Sequence, residues 1–278
     1  MMDEVKSLQE HATLDERLNI DIRYADDTTL IAAVFDKLQL STNQLIEACK
    51  KFGLKVNSSK CKVMTEEVAP ITIDGEQVKA VDSFVFLGSV IPSTSDDVKR
   101  RVALANTAFG RLRKNIWTRK DIQTRLKLRL YKALILPIAT YGSETWTLTK
   151  QITQNLTVFE NNCLRAILGI KLTDRVPIAT LWKKAGIQNP IENTIKKRRL
   201  TWFGHVCRMN EDNVVQQMMK EDFVAKRKRG RPAKRWSDLI KEDTGLPIAT
   251  ANRMAKDRLR WRKNVNMKWA KPLSVVCR

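Results

Sequence analysis

Two adjacent carboxylates, Asp26 and Asp27, follow an aromatic in the stretch Arg23-Tyr24-Ala25-Asp26-Asp27-Thr28. Each raises the cost of ionising the other unless a cation or solvent compensates. A hard divalent cation such as Mg2+ takes oxygen ligands from one or two protein carboxylates plus substrate phosphates, the arrangement used in nucleotidyl transfer. Adjacent Asp residues are also common in solvated turns, so the pair by itself leaves both readings open.

The other residues with chemistry in their spacing are basic. Between Lys99 and Lys132 there are twelve Lys or Arg, including Arg111, Arg113, Lys114 and Lys127, against one acid, Asp121. A basic helical face of this kind suits a phosphate backbone, because each neutralised phosphate releases a counterion; a solvated helix face is the alternative. Residues 226–235 hold seven basic residues in ten, with Lys228, Arg229, Arg231, Lys234 and Arg235 around a Gly and a Pro that block regular structure. Such a run reads as a solvated loop, a nuclear-import signal or a nucleic-acid patch. Arg229-Gly230-Arg231-Pro232 also matches the core of an AT-hook, whose extended backbone lies in the minor groove of A·T-rich DNA.

Composition agrees with a polyanion partner. The 278 residues carry 51 Lys+Arg against 30 Asp+Glu, a formal net charge of +21, and include seven Trp. Nucleic acid is the first candidate for so large an excess. Hydrophobic content of 43% is that of a globular chain able to bury a core, and no apolar run reaches the length of a membrane span. Five widely spaced cysteines with no C-x-x-C pair exclude a disulfide framework and a recognisable zinc site. His205 and Cys207 are two apart, a spacing that does not bring side chains together on a helix. With no secretory signal, the expected setting is a reducing compartment, nuclear or cytoplasmic.

Several elements must position these residues. Ile20, Ile22 and Tyr24 alternate with polar residues, and residues 30–35 form an apolar run, so the two Asp residues sit at the tip of a hairpin. A capping box at residues 41–44 predicts a helix over 42–52, stopped by Gly53. Residues 55–65 read as a strand pair, and Asp74-Gly75 as the type I′ turn of a hairpin over 71–81, with residues 84–91 as its partner. Val98, Val102, Ala105, Phe109, Leu112 and Ile116 predict a long amphipathic helix capped by Ser95. A second helix is expected over 121–136, ended by Pro137. Further helices are expected over 152–167, 178–184, 191–206 and 249–265. Trp182, Trp202 and Phe203 are expected in a small helical core, with base stacking the alternative.

The ordered motifs resemble the endonuclease and reverse-transcriptase polyprotein of non-LTR (LINE-type) retroelements, from near Leu18 almost to the end. Tyr24-Ala25-Asp26-Asp27 resembles the catalytic palm hairpin of that family. Residues 53–64 resemble the next palm motif, and Phe84-Val85-Phe86-Leu87-Gly88-Ser89 the primer-grip hairpin. Arg199-Leu200-Thr201-Trp202-Phe203-Gly204-His205-Val206, Arg229-Gly230-Arg231-Pro232 and Asp257-Arg258-Leu259-Arg260-Trp261-Arg262 resemble its C-terminal segment.

The resemblance implies an α+β fold, mostly helical. A small antiparallel partial palm sheet (18–92) would be followed by a helical thumb and connection (93–150), a helical C-terminal domain (151–222), and a basic loop with a terminal helix (223–278). Residues 1–17 would be a leader outside the family. It further implies Mg2+ as cofactor, with Asp26 as principal ligand, Asp27 as accessory ligand and Tyr24 positioning the nucleotide or primer end. Lys60 or Lys62 would match a lysine proposed to protonate the departing pyrophosphate, though both also read as solvated lysines. The partners implied are an RNA template and a DNA primer or target DNA, without a membrane.

In this family the fingers and the first half of the palm, with another metal-binding aspartate, lie upstream of the Asp-Asp hairpin. Fewer than thirty residues precede Asp26 here. The expectation is therefore a truncated RNA-directed DNA polymerase with an incomplete metal site, inactive alone. A non-catalytic remnant that binds RNA or DNA through the basic thumb and tail is the alternative.

Overall fold

In a computed structural model, residues 19–65, 70–187, 189–224 and 234–270 are described. The chain is a mostly helical α+β protein that divides into two compact units, Met1–Phe86 and Leu87–Arg278.

The first unit starts with a hairpin of β1 (Asn19–Tyr24) and β2 (Asp27–Ala32), whose register runs from Asn19 opposite Ala32 to Tyr24 opposite Asp27. Helix α1 (Phe35–Lys51) begins seven residues before the expected start. The capping-box reading fails because Thr42 lies inside the helix, where its hydroxyl donates back to the Leu38 carbonyl at 2.7 Å. The helix does stop at Gly53, which takes a left-handed φ of 71°.

The expected strand pair over 55–65 is replaced by a turn at 58–60 and a two-residue strand, β3 (Lys62–Val63). The Asn57 side chain accepts from the Lys60 amide and competes with strand pairing there. β4 (Thr72–Ile73) and β5 (Glu76–Gln77) form the expected hairpin, with positive φ at both Asp74 and Gly75, as a type I′ turn requires. β6 (Lys79–Ala80) runs parallel to β3, and β7 (Phe84–Phe86) ends the unit.

Ile46 of α1 packs with Val63, Ile71, Ile73 and Val78 as the core of this unit. The Gln39 amide brackets Thr72, donating to its carbonyl and accepting from its N–H, and so fastens the helix to the edge of β4.

The second unit is helical apart from β8 (Ser89–Ile91). Its helices are α2 (Thr94–Arg111), α3 (Thr124–Leu130), α4 (Leu136–Ala139), α5 (Lys150–Leu168), α6 (Ile178–Ala185), α7 (Ile191–Val206), α8 (Val214–Val224), α9 (Trp236–Thr244), α10 (Ile248–Lys256) and α11 (Arg258–Ala270). Ser93, not Ser95, caps α2 by accepting from the Asp96 N–H. The helical run over 121–136 continues past Pro137 because a widened π-type turn, Tyr131–Ile135, precedes a segment that carries Pro137 in its first turn, where a missing N–H costs little.

The single helix expected over 249–265 is two helices, α10 and α11. They break at Asp257, whose extended backbone lets its carboxylate accept from the Leu259 and Arg260 N–H groups.

Two cores share α7. Its first half, Ile191 and Ile195, packs with Val98, Trp117, Tyr131, Ile135, Leu156 and Phe159. Its second half, Leu200, Phe203 and Val206, packs with Ile240, Ala251 and Trp261. Cys163 belongs to the first core and Cys207 to the second, while His205 is exposed.

Candidate nucleic-acid interface

The Asp26–Asp27 pair lies at the tip of the β1–β2 hairpin, as the alternation of its flanks requires. The connection is only two residues, Ala25 and Asp26, and Ala25 takes a left-handed φ of 53°. Two-residue hairpins need this conformation at the first turn position, where glycine is the usual occupant. For an alanine it costs about 1–2 kcal/mol. Strain of that kind is a mark of sites where another requirement fixes the residue.

Tyr24 and Asp27 are directly opposed, which puts their side chains on one face, and the tyrosine is 66% exposed. Asp26 and Asp27 are exposed, and neither has a hydrogen-bond or ion-pair partner among the described residues. Asp21 differs: the Arg23 guanidinium in the same strand holds it at 2.8 Å.

These two carboxylates are donors free to meet a cation, but they do not complete a metal site. Among the described residues no group of three or more His, Cys, Asp or Glu side chains is placed to hold a metal ion. Lys60 is exposed in the 58–60 turn, with no hydrogen bond or ion pair to either Asp. Lys62 donates to the Ser59 carbonyl at 3.3 Å.

The basic helical segment sorts into outward and inward cations. Arg111 ends α2, and Arg113 and Lys114 begin the π-type turn Arg113–Trp117 that follows it. That turn carries Trp117 into the core, where its ring stacks on Phe109 at 4.7 Å between centroids and its indole N–H donates to the Phe109 carbonyl. With Trp117 inward, Arg111, Arg113 and Lys114 face solvent, as do Arg125, Arg129 and Lys132 on the next helical run. Among the described residues none of these six forms an ion pair.

Lys127 does not belong with them. It is 6% exposed, and its ammonium donates to the carbonyls of Trp117 at 2.9 Å and Arg119 at 2.5 Å. It satisfies the open end of the π-type turn, so the phosphate-contact role expected for it is corrected to a structural one. Helical periodicity could have revealed this, since Lys127 shares a face with Tyr131.

A second cluster was not evident from sequence. Leu87 and Gly88 both take left-handed φ, 45° and 85°, and the carbonyls of this turn are held by two arginines of α2 and by Tyr141, in the turn after α4. Arg100 donates to the Gly88 carbonyl at 2.8 Å, Arg101 donates to the same oxygen, and the Tyr141 hydroxyl donates to the Leu87 carbonyl at 3.0 Å. Asp97, buried beneath, accepts from the Val90 N–H at 2.9 Å and the Trp146 indole at 2.7 Å. The sequence signal was the Asp97–Arg101 spacing of i, i+4 inside an amphipathic helix.

The basic loop is only partly placed. Lys228, Arg229 and Arg231 lie outside the described residues. Lys234 pairs with Glu242 at 2.7 Å, and the Arg235 N–H donates to Asp238 at the start of α9.

No helix among the described residues is long and apolar enough to cross a membrane. Residues 1–91 match the reverse transcriptase (RNA-dependent DNA polymerase) family, a span that takes in residues 1–17, contrary to the expectation that they lie outside it. The chain is also 27% identical over 262 residues to a transposon-derived protein of Caenorhabditis elegans, across 87% of this chain and 93% of that protein. No solved structure matches. By its opening 91 residues this chain is similar to reverse transcriptases, and along most of its length to a protein derived from a transposon.

Proposed function

We propose that this protein binds RNA or DNA through the solvent-facing cations of its second unit, as the thumb and tail of a LINE-type retroelement reverse transcriptase. The observation that carries this reading is that, of the twelve cations of the basic segment, Arg101 and Lys127 are buried while six, Arg111, Arg113, Lys114, Arg125, Arg129 and Lys132, face solvent without an ion pair among the described residues. Outward cations without acidic partners lose little on meeting a phosphate backbone and release its counterions. The basic loop, with Lys228, Arg229 and Arg231, and Lys234 and Arg235 just before α9 would extend that surface. Its test is fluorescence anisotropy of the whole chain with labelled RNA and DNA. Binding that weakens steeply as salt rises is expected, and salt-independent binding would refute it.

A polymerase reading is favoured by a separate observation, the two unpartnered carboxylates beside an exposed tyrosine at a strained hairpin tip. Asp26 and Asp27 are the residues that would hold Mg2+. Two-metal nucleotidyl transfer needs donors besides these two; in this reading the chain acts as the palm-to-C-terminal part of an enzyme and is inactive alone. Primer extension on an RNA template with magnesium tests it. No incorporation is expected from the chain by itself; incorporation that disappears in Asp26→Asn would show a working polymerase.

A further inference from the structure

Tyr141 is fixed on one side and open on the other. The Arg101 guanidinium lies over one face of its ring, 4.1 Å from the centroid, and the hydroxyl is tied to the Leu87 carbonyl at 3.0 Å. Arg101 is itself buried and anchored on the Gly88 carbonyl. Yet the tyrosine is 49% exposed. Among the described residues the ring has no aromatic or cationic contact besides Arg101, which leaves the face opposite the guanidinium as the one open to a partner.

A half-exposed aromatic ring held at both ends is unusual, because a solvated tyrosine ordinarily keeps its rotational freedom. Leu87, whose carbonyl takes the hydroxyl, lies in the left-handed region with Gly88, as a two-residue hairpin turn requires, at a cost of about 1–2 kcal/mol for a residue with a side chain. Leu87 is 38% exposed beside the ring. Arg100, half-buried on the same turn, uses one guanidinium N–H group on Gly88. A guanidinium carries five donors, so others remain for an anion.

We propose that the open face of Tyr141 is a stacking platform for an unpaired base of a bound nucleic-acid strand, with Arg100 meeting the adjoining phosphate. The proposal rests on the nucleic-acid-binding reading above and adds to it a contact with bases. Stacking of this kind is tolerant of sequence, since every base offers a π-face. The partner is a polyanion because Arg100 and Arg101, which flank the platform, belong to the segment 99–132 with its twelve cations against one acid. The cation beneath the ring and the bonded hydroxyl have already fixed its torsions, so a base meets a surface with little ordering left to do.

The test compares the whole chain with its Tyr141→Ala and Tyr141→Phe variants, by anisotropy, on two short single-stranded oligonucleotides. One carries bases and the other is abasic with the same phosphates. Tyr141→Ala is expected to weaken binding of the base-bearing strand by about 5- to 150-fold and of the abasic strand by less than about twofold. Tyr141→Phe, which keeps the ring, should stay within about threefold of the parent on both. Equal losses on the two strands, or no loss on the base-bearing one, would overturn the proposal.

A measurement on the unmodified chain guards against a variant that fails to fold. Photocrosslinking with a strand containing 5-iodouracil should give an adduct at Tyr141, and crosslinks confined to other residues would overturn the proposal. Failure of the parent chain to bind either strand would instead overturn the nucleic-acid reading on which it rests.

Discussion

The Arg199 guanidinium donates to the Asp243 carboxylate at 2.5 Å, with both side chains almost wholly buried between α7 and α9. Arg199 also reaches the Trp146 carbonyl, so one residue joins the second core to the segment that follows α4. Burial lowers the guanidinium's pKa and raises that of the carboxyl, so for both groups the cost of desolvation outweighs the attraction between them. Asp243→Asn leaves a buried cation without its countercharge and is expected to destabilise the second unit by about 3–5 kcal/mol. The joint change Arg199→Met with Asp243→Leu should cost less than Asp243→Asn. Urea unfolding of the three proteins measures this; a loss below about 1 kcal/mol for Asp243→Asn would contradict it.

Gly204 lies against the Trp261 indole. A Cβ built on it would come 2.3 Å from two atoms of that ring, and the ring is fixed by an indole hydrogen bond to the Leu200 carbonyl at 2.8 Å. Gly204→Ala is expected to cost about 1–3 kcal/mol or more through overpacking. The change should quench or shift Trp261 fluorescence before it alters nucleic-acid binding. A variant as stable as the parent would show that α11 can move aside.

Glu160 is buried in α5 and accepts from the Ile191 N–H at the start of α7 at 3.0 Å. Burial raises its pKa to about 7, only partly offset by that hydrogen bond and by Lys132. A carboxyl whose folded pKa lies above its unfolded value favours the neutral form in the fold. Its contribution to stability is full below the unfolded value, near 4.5, and is lost as pH rises through about 7. The difference corresponds to roughly 3 kcal/mol. Thermal melts between pH 5 and pH 8 should show the parent losing stability with rising pH and Glu160→Gln losing less. Parallel profiles would argue against a neutral Glu160.

Lys127→Met should destabilise the protein by about 1–3 kcal/mol, because the Trp117 and Arg119 carbonyls lose their donor. It should leave the salt dependence of RNA binding unchanged. A reduced salt dependence would return Lys127 to the surface.

Long periodic segments were legible in the sequence. The residues of α2 recur at the spacing its burial demands, and α7 runs over the residues its pattern marks. The Asp74-Gly75 turn and the Asp26–Asp27 hairpin follow from local chemistry alone. What was not legible depended on side chains that replace backbone partners. Thr42 bonds back within α1, Asp257 starts a new helix, and Lys127 fills a π-type turn. Nor could sequence show that Gly204 is a glycine because Trp261 lies on it, or that Tyr141 and Arg101 meet across forty residues.

The direct measurement is the slope of log affinity against log salt for single-stranded RNA, taken on the whole chain and on the combined variant Arg111→Ala, Arg113→Ala, Lys114→Ala. Each lost phosphate contact on a single strand reduces the slope by about 0.7, so a steep parent slope should fall by about 2 in the variant while the fold is retained. A parent slope near zero, or one that the three substitutions leave unchanged, would contradict a nucleic-acid interface on these helices.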